Sequence, residues 1–143
     1  KERIFINIEI KDYSIKESTE KIIELLDIYD MRHQVSISSF HHDYKKELDS
    51  LGIDDIEFGI LHEKKNISID SKANCTLNLF YKDVDSMIVE KAHKEGMGVL
   101  AYFPMTMEDS DEEYIKLFEC GVDVICTNDP MRVIRLREKF FYN

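Results

Sequence analysis

The chain has 143 residues, of which 43% are hydrophobic, so it is long enough to bury one core and too apolar to be disordered. Its 29 acidic residues against 19 basic ones give a formal net charge of −10, which disfavours nucleic-acid binding because phosphate backbones are bound by basic surfaces. No apolar run approaches the ~20 residues of a membrane span.

The first predicted strand, Phe5–Lys11, has two distinct faces, because successive side chains of a strand alternate. One face is formed by three isoleucines, Ile6, Ile8 and Ile10. The other face becomes charged toward its C-terminal end, where Glu9 and Lys11 lie two residues apart. At the mouth of a parallel barrel this pair suits a metal ligand beside a phosphate-binding cation. A surface ion pair on an edge strand is the alternative, and the residues alone leave both open.

Strands and helices alternate through the rest of the chain. Further strands are predicted at Gln34–Phe40, Glu57–Leu61, Thr76–Phe80, Gly98–Phe103 and Val122–Cys126. Helices are predicted from a Ser14/Glu17 capping box to Tyr29, over Asp43–Leu51, from an Asp83 cap to Gly96, from a Ser110/Glu113 capping box to Gly121, and after Asp129-Pro130. Residues 62–72 are polar and are predicted to form a loop.

This alternation of strand and helix demands a parallel sheet, either open and doubly wound or closed into a barrel. Small polar residues at alternate strand positions favour the barrel, because central strands of an open sheet are apolar on both faces. These residues are Asn7, Ser36, Ser38 and Asn78. We therefore predict a single α/β domain over residues 1–143, a parallel (β/α) barrel of the TIM type. It is incomplete, with six of the eight βα units of such a barrel.

Four sequence runs resemble those of the glycerophosphodiester phosphodiesterase family. They are NIEIK at residues 7–11, SSF at 38–40, AHKEG at 92–96 and GVDVICTNDP at 121–130. Each is weak alone, but they occur in the family's order and cover nearly the whole chain. The resemblance implies a TIM-type barrel that hydrolyses glycerophosphodiesters to glycerol 3-phosphate and an alcohol, a reaction of lipid metabolism.

The resemblance also implies residue roles. The family holds a divalent metal, calcium or magnesium, on carboxylates and uses two histidines as general acid and base. Glu9 matches one metal carboxylate, and Lys11 matches the lysine that steadies the phosphate during catalysis. Tyr102 stands where the family has a tryptophan that lines the glycerol pocket.

The chain departs from the family's pattern at two places. The family's His-Arg-Gly, Glu-x-Asp and His-Asp segments precede its NIEIK-like strand, and this chain begins at Lys1, just before that strand and without a starting Met. The family's WTVN-like strand end is replaced by YFPM at residues 102–105. We interpret the chain as the C-terminal portion of a longer phosphodiesterase, with most metal ligands outside it, and expect it to be inactive alone. A signal or membrane segment upstream would determine the cellular compartment of the protein, so the sequence leaves its localisation undecided.

The remaining candidate residues have simpler interpretations. His41 and His42 are adjacent and point in different directions, so they rarely chelate one ion, and the second leads into the helix at Asp43. The acidic run Glu108–Glu113 is interpreted as a solvated helix start. The cysteines lack the spacing of a disulfide framework or zinc site, and Cys120 and Cys126 are predicted to be buried thiols.

A second class of function stays open beside the enzyme. A barrel remnant could act as a non-catalytic binding or assembly module, because a sheet that lacks two strands has two open edges. We therefore expect self-association through these edges, a small-molecule glycerophosphodiester as the ligand if the chain is part of an enzyme, and no nucleic-acid partner.

Overall fold

The structure is a computed structural model that describes residues 4–62 and 74–142. Its strands are β1 (Ile6–Glu9), β2 (Val35–Ser39), β3 (Glu57–His62), β4 (Cys75–Phe80), β5 (Gly98–Tyr102) and β6 (Val124–Cys126). Its α-helices are α1 (Ile15–Ile28), α2 (Asp43–Ser50), α3 (Ser86–Lys94), α4 (Asp111–Cys120) and α5 (Pro130–Tyr142). The loop predicted at 62–72 lies, apart from His62, outside the described residues. No described helix is long and apolar enough to cross a membrane.

The strands follow one another in chain order, β1-β2-β3-β4-β5-β6. The pairs β1–β2, β2–β3 and β5–β6 are parallel, with Glu9 opposite Ser38 and Tyr102 opposite Cys126. A doubly wound sheet reverses its strand order at a switch point, whereas a TIM barrel adds each strand beside the last. The predicted fold class, six βα units of a TIM-type barrel, is therefore confirmed.

The described residues divide into two compact units, 4–61 with 74–76 and 62 with 77–142. In the first unit, Val35 and Ile37 of β2 and Phe58 of β3 are buried with Tyr44 and Leu48 of α2. The Tyr44 hydroxyl donates a 3.1 Å hydrogen bond to the carbonyl of Asp12, which satisfies its polar end inside this core.

In the second unit the core lies between the helix-facing side of β5 and helices α3 and α4. Val99 and Ala101 of β5 are fully buried, as are Ala92 of α3 and Tyr114 and Leu117 of α4. The rings of Phe103 and Tyr81 are stacked 4.1 Å apart and extend this core beyond the end of β5.

Three glycines end helices as the sequence predicts. Gly52, Gly96 and Gly121 all have positive φ, and Gly121 at φ 80° is the left-handed C-cap of α4. A side chain at φ 80° would be strained, so glycine is the residue that lets the chain leave α4 and enter β6.

Several local predictions are wrong. Ser14 makes no side-chain cap on α1; Asp12 instead accepts a 2.6 Å hydrogen bond from the Ser18 hydroxyl. Helix α3 begins after Asp85, which accepts a hydrogen bond from the amide of Ile88, because Tyr81–Asp83 forms a separate 3-10 turn.

The prediction of buried thiols is also wrong for two cysteines. Cys126 is exposed and Cys120 is only half-buried, whereas Cys75, for which no burial was predicted, is buried. Cys126 is exposed because β6 is an outer strand of the sheet, with β5 as its neighbour.

Candidate functional site

Glu9 is the last residue of β1 in the first unit, whereas Lys11 lies two residues beyond the end of that strand, which is shorter than the predicted Phe5–Lys11. The ammonium nitrogen of Lys11 is 3.5 Å from Oε1 of Glu9. The Lys11 side chain is 77% exposed and that of Glu9 is 36% exposed. A contact this open to water contributes little to stability, and both groups remain accessible to a ligand.

The same face of β1 carries a hydrogen-bonded polar ladder onto β2. Nδ2 of the Asn7 side chain donates to the Ser38 hydroxyl at 3.0 Å, and the Ser36 hydroxyl donates to Oδ1 of the Asn7 side chain at 3.1 Å. These hydrogen bonds link β1 and β2 on the strand face that ends at Glu9, and Ser38 is buried there. The opposite face is apolar but only partly covered, since Ile10 is buried and Ile6 is 40% exposed.

The described residues do not form a complete metal site. Among them, no three His, Cys, Asp or Glu side chains lie close enough together to hold an ion. Glu9 offers one carboxylate, whereas calcium takes six to eight oxygen ligands and magnesium six.

The neighbouring histidines belong to the structure of the first unit. The ring of His41 lies 4.3 Å from that of Tyr13, and Nε2 of His42 is 3.0 Å from the carbonyl oxygen of Leu61. His42 is the N-cap residue of α2.

Tyr102 is the last residue of β5 and lies in the second unit. Its hydroxyl donates to the carbonyl of His62 at 3.3 Å, and its ring lies 6.1 Å from that of Phe80, the last residue of β4. Phe80 and Tyr102 thus form an aromatic pair at two strand ends. No sequence motif marks Phe80, although alternation along β4 places it on the same strand face as Asn78.

Asn78 is only 3% exposed, and its Oδ1 has no hydrogen-bond partner among the described residues. An unsatisfied buried carbonyl costs about 1–3 kcal/mol. Asn78 lies two residues before Phe80 on β4, so this unsatisfied amide oxygen is buried in the interior of the second unit.

One residue of the acidic run after β5, Asp109, is not simply solvated, because its carboxylate accepts several hydrogen bonds from the protein. Oδ2 of Asp109 accepts hydrogen bonds from the Tyr114 hydroxyl at 2.5 Å, the Thr127 hydroxyl at 2.7 Å and the Asn128 amide at 3.0 Å. Burial favours the neutral acid, but these donors together hold the pKa of Asp109 below its usual value. No sequence signal distinguishes Asp109 from its acidic neighbours.

Two other members of that run, Ser110 and Glu113, form the predicted capping box, whereas Asp111 is paired with Arg132 at 2.5 Å. The Ser110 hydroxyl accepts from the Glu113 amide, and the Glu113 carboxylate accepts from the Ser110 amide, each at 3.3 Å. This is the reciprocal capping box predicted for α4.

Comparison with known proteins agrees with this fold. No family model matches the chain. A glycerophosphodiester phosphodiesterase of Caldanaerobacter subterraneus subsp. tengcongensis is 32% identical over 140 residues, which cover 94% of this chain and 56% of that protein. The chain therefore spans about half the length of the curated relative that it matches.

Solved structures of the same class share the fold. A phosphodiesterase of this description from Galdieria sulphuraria matches with a TM-score of 0.79 and 23% identity, over 93% of this chain and 57% of that one. One from Parabacteroides distasonis matches with a TM-score of 0.73 and 18% identity, over 96% and 58%.

A phosphodiesterase of Oleispira antarctica, solved with its product sn-glycerol-3-phosphate, matches with a TM-score of 0.70 and 18% identity, over 94% of this chain and 55% of that one. These structures establish a TIM-type α/β class. The resemblance to glycerophosphodiester phosphodiesterases drawn from the sequence runs is confirmed for most of this chain.

Proposed function

We propose that this chain is the C-terminal portion of a metal-dependent glycerophosphodiester phosphodiesterase, which hydrolyses its substrates to glycerol 3-phosphate and an alcohol. The observation that carries the proposal is the exposed Glu9–Lys11 pair at the C-terminal end of β1, within a chain that is 32% identical to such an enzyme. Active sites of TIM-type barrels lie at this end of the strands.

In the proposed site, Lys11 binds a non-bridging phosphate oxygen of the substrate. Its ammonium group is held 3.5 Å from Glu9 but is largely open to solvent, so it can contact an anionic ligand without breaking a buried pair. A fixed positive charge beside a reacting phosphate stabilises the negative charge of the transition state. This local cation also offsets the repulsion of an anionic substrate by a chain of net charge −10.

We propose Glu9 as one carboxylate ligand of a divalent metal. Because no three His, Cys, Asp or Glu side chains of the described residues lie close enough together to hold an ion, further ligands are proposed to come from outside them. The general acid and base are likewise proposed to lie outside, since the two histidines that follow β2 contact Tyr13 and the Leu61 carbonyl.

For the glycerol moiety we propose Tyr102 as an aromatic wall, with Phe80 as its neighbour. The face of an aromatic ring can pack against the C–H groups of glycerol and leave the glycerol hydroxyl groups free to form hydrogen bonds elsewhere. The tyrosine hydroxyl already bonds the His62 carbonyl, which holds the ring in place.

A chimeric protein tests this function. The part of the Caldanaerobacter relative that this chain does not match is fused to residues 1–143, and glycerol 3-phosphate release from glycerophosphocholine is measured with calcium or magnesium. We expect turnover by the chimera and none by the 143-residue chain alone, because loss of general acid–base help costs ~10²–10⁴-fold in rate. A chimera with a sharp melting transition and no turnover would contradict the proposal, as would ordinary enzyme turnover by the chain alone.

The alternative function, a non-catalytic assembly module, is favoured by one observation. Ile6 on β1 and Val124 on β6 are both substantially exposed, and these strands end the sheet order on either side. Catalysis by the chimera would decide against a purely structural role.

A further inference from the structure

Tyr102, the proposed aromatic wall of the glycerol pocket, is followed in the chain by a buried ring. Phe103 is only 4% exposed, and its ring is stacked on that of Tyr81 at 4.1 Å and lies edge-on to that of Tyr114 at 5.2 Å. The Phe103 amide also donates to the carbonyl of Cys126 at 2.9 Å. The backbone that carries Tyr102 is therefore attached to the core of the second unit through its next residue.

Asp109 binds the far member of this aromatic stack. Its Oδ2 accepts hydrogen bonds from the hydroxyls of Tyr114 at 2.5 Å and Thr127 at 2.7 Å. These two hydroxyl oxygens lie 2.6 Å apart, so the three oxygens are all in mutual contact. Tyr114 is fully buried, and it contacts Phe103 with its ring while its hydroxyl is bound to Asp109.

The same carboxylate is linked to the loop that follows Phe103. Nδ2 of Asn128 donates to Oδ1 of Asp109 at 3.1 Å. This nitrogen also lies 3.3 Å from the carbonyl oxygen of Pro104 and 3.4 Å from that of Met107. The loop after β5 therefore cannot move relative to the end of β6 without breaking several hydrogen bonds around Asp109.

We propose that Asp109 is a positioning residue for the Tyr102 wall, an inference that rests on the proposed hydrolysis of glycerophosphodiesters. Asp109 acts through two intermediate side chains, Tyr114 and Phe103. While Phe103 stays in its buried position, alternation along the strand directs Tyr102 to the opposite side, where its ring lies 6.1 Å from that of Phe80. The affinity of the site for the glycerol moiety then depends on the Asp109 carboxylate.

Kinetics of the active chimera test this role. Asp109→Asn keeps the size of the side chain but removes its charge and one of its two acceptor oxygens, which weakens the bonds to Tyr114 and Thr127. We expect KM for glycerophosphocholine to rise about 5–10-fold with a smaller change in kcat, because the displaced ring serves binding of the glycerol moiety. In a Tyr102→Leu background, Asp109→Asn should raise KM no further, because the ring through which it acts is absent.

Ser110→Ala is the matched control. Ser110 is the next residue in the chain and caps α4 through Glu113, so its loss weakens the same helix without touching the Asp109 carboxylate. We expect this variant to keep the parent KM. A KM that rises equally in Ser110→Ala and Asp109→Asn would show a general effect of helix stability and would overturn the positioning role.

Nuclear magnetic resonance of the 143-residue chain gives a readout that does not need catalysis. With its tyrosine and phenylalanine rings labelled, the parent chain should show nuclear Overhauser contacts between the rings of Tyr102 and Phe80. We expect these contacts to weaken in Asp109→Asn and to persist in Ser110→Ala.

The proposed function and this inference fail separately. A chimera that melts sharply but has no turnover contradicts the hydrolysis, and the ring contacts then decide the positioning role alone. Ring contacts that are unchanged in Asp109→Asn would overturn that role, as would an unchanged KM in an active chimera. An equal rise in KM with and without the Tyr102 ring would do the same, because Asp109 would then act by another route.

Discussion

The hydroxyl of Tyr114 lies 2.5 Å from Oδ2 of Asp109, and the same carboxylate oxygen accepts a hydrogen bond from Thr127. Tyr114 is fully buried in α4, Asp109 precedes that helix and Thr127 follows β6. One carboxylate therefore fixes the loop after β5 to the loop after β6, both within the second unit.

Tyr114→Phe should destabilise the protein in a pH-dependent way. Burial, reinforced by the bond to Asp109, raises the pKa of Tyr114 to about 12. A raised pKa means that the folded protein favours the neutral phenol, so the stabilisation is complete below the unfolded value of about 10 and is lost between pH 10 and about 12. We expect a loss of about 1–2 kcal/mol at pH 8.

Urea denaturation of both proteins from pH 8 to 11.5 checks this. The difference in unfolding free energy between parent and variant should narrow above pH 10. Tyr142→Phe removes an exposed hydroxyl and serves as the control, with no change expected at any pH. A constant difference across the alkaline range would show that the phenol does not titrate as inferred.

Two serines with the same sequence signature should respond differently to alanine. Ser110 forms both hydrogen bonds of its capping box with Glu113, so Ser110→Ala should cost about 1 kcal/mol. Ser14 has no side-chain cap on α1, and Ser14→Ala should cost less than half as much. Chemical denaturation of the two variants measures this directly; equal losses would mean that Ser14 caps α1 in solution.

The sequence predicts the order and type of the elements, because glycines end three helices and period-two apolar runs mark the strands. It fails where two local signals compete. Near the start of α1, Ser14 has the capping-box pattern but makes no side-chain cap, while Asp12 accepts a hydrogen bond from the Ser18 hydroxyl at 2.6 Å. Asp83 and Asp85 are both acceptable caps, and the intervening 3-10 turn decides for Asp85.

The candidate site follows the same rule. The spacing of Glu9 and Lys11 in the sequence predicts that their side chains lie close together, and they do, at 3.5 Å, although β1 itself ends at Glu9. The Asp109 network is not, since its four members come from residues 109–128 and meet only through the turn after β5 and the end of β6. Contacts between residues this far apart in the chain produce no periodic pattern in the sequence, so the sequence does not predict them.

Asn78→Leu should stabilise the protein by about 1 kcal/mol. The substitution conserves size and removes a buried amide oxygen that has no partner among the described residues. Ser38→Ala is the contrasting control: Ser38 is equally buried but accepts the Asn7 hydrogen bond at 3.0 Å, so its removal should cost about as much. If thermal melts show Asn78→Leu to be clearly destabilised, the amide is bound to an ordered water or ligand in solution.

Glu9→Gln and Lys11→Met separate the two proposed roles of the β1 pair in the active chimera. Gln keeps the shape of Glu9 but lacks its charge, so activity should fall steeply and be partly restored by excess metal. Met keeps the length of Lys11 without its charge, so the catalytic rate should fall, by roughly 10²-fold, with little change in the metal concentration required. Steady-state kinetics across metal concentrations measure both effects, with Lys16→Met on the exposed surface of α1 as the control. Near-normal kinetics in both variants would leave the 3.5 Å contact as a surface ion pair, and would remove the reason to place the phosphate at this strand end.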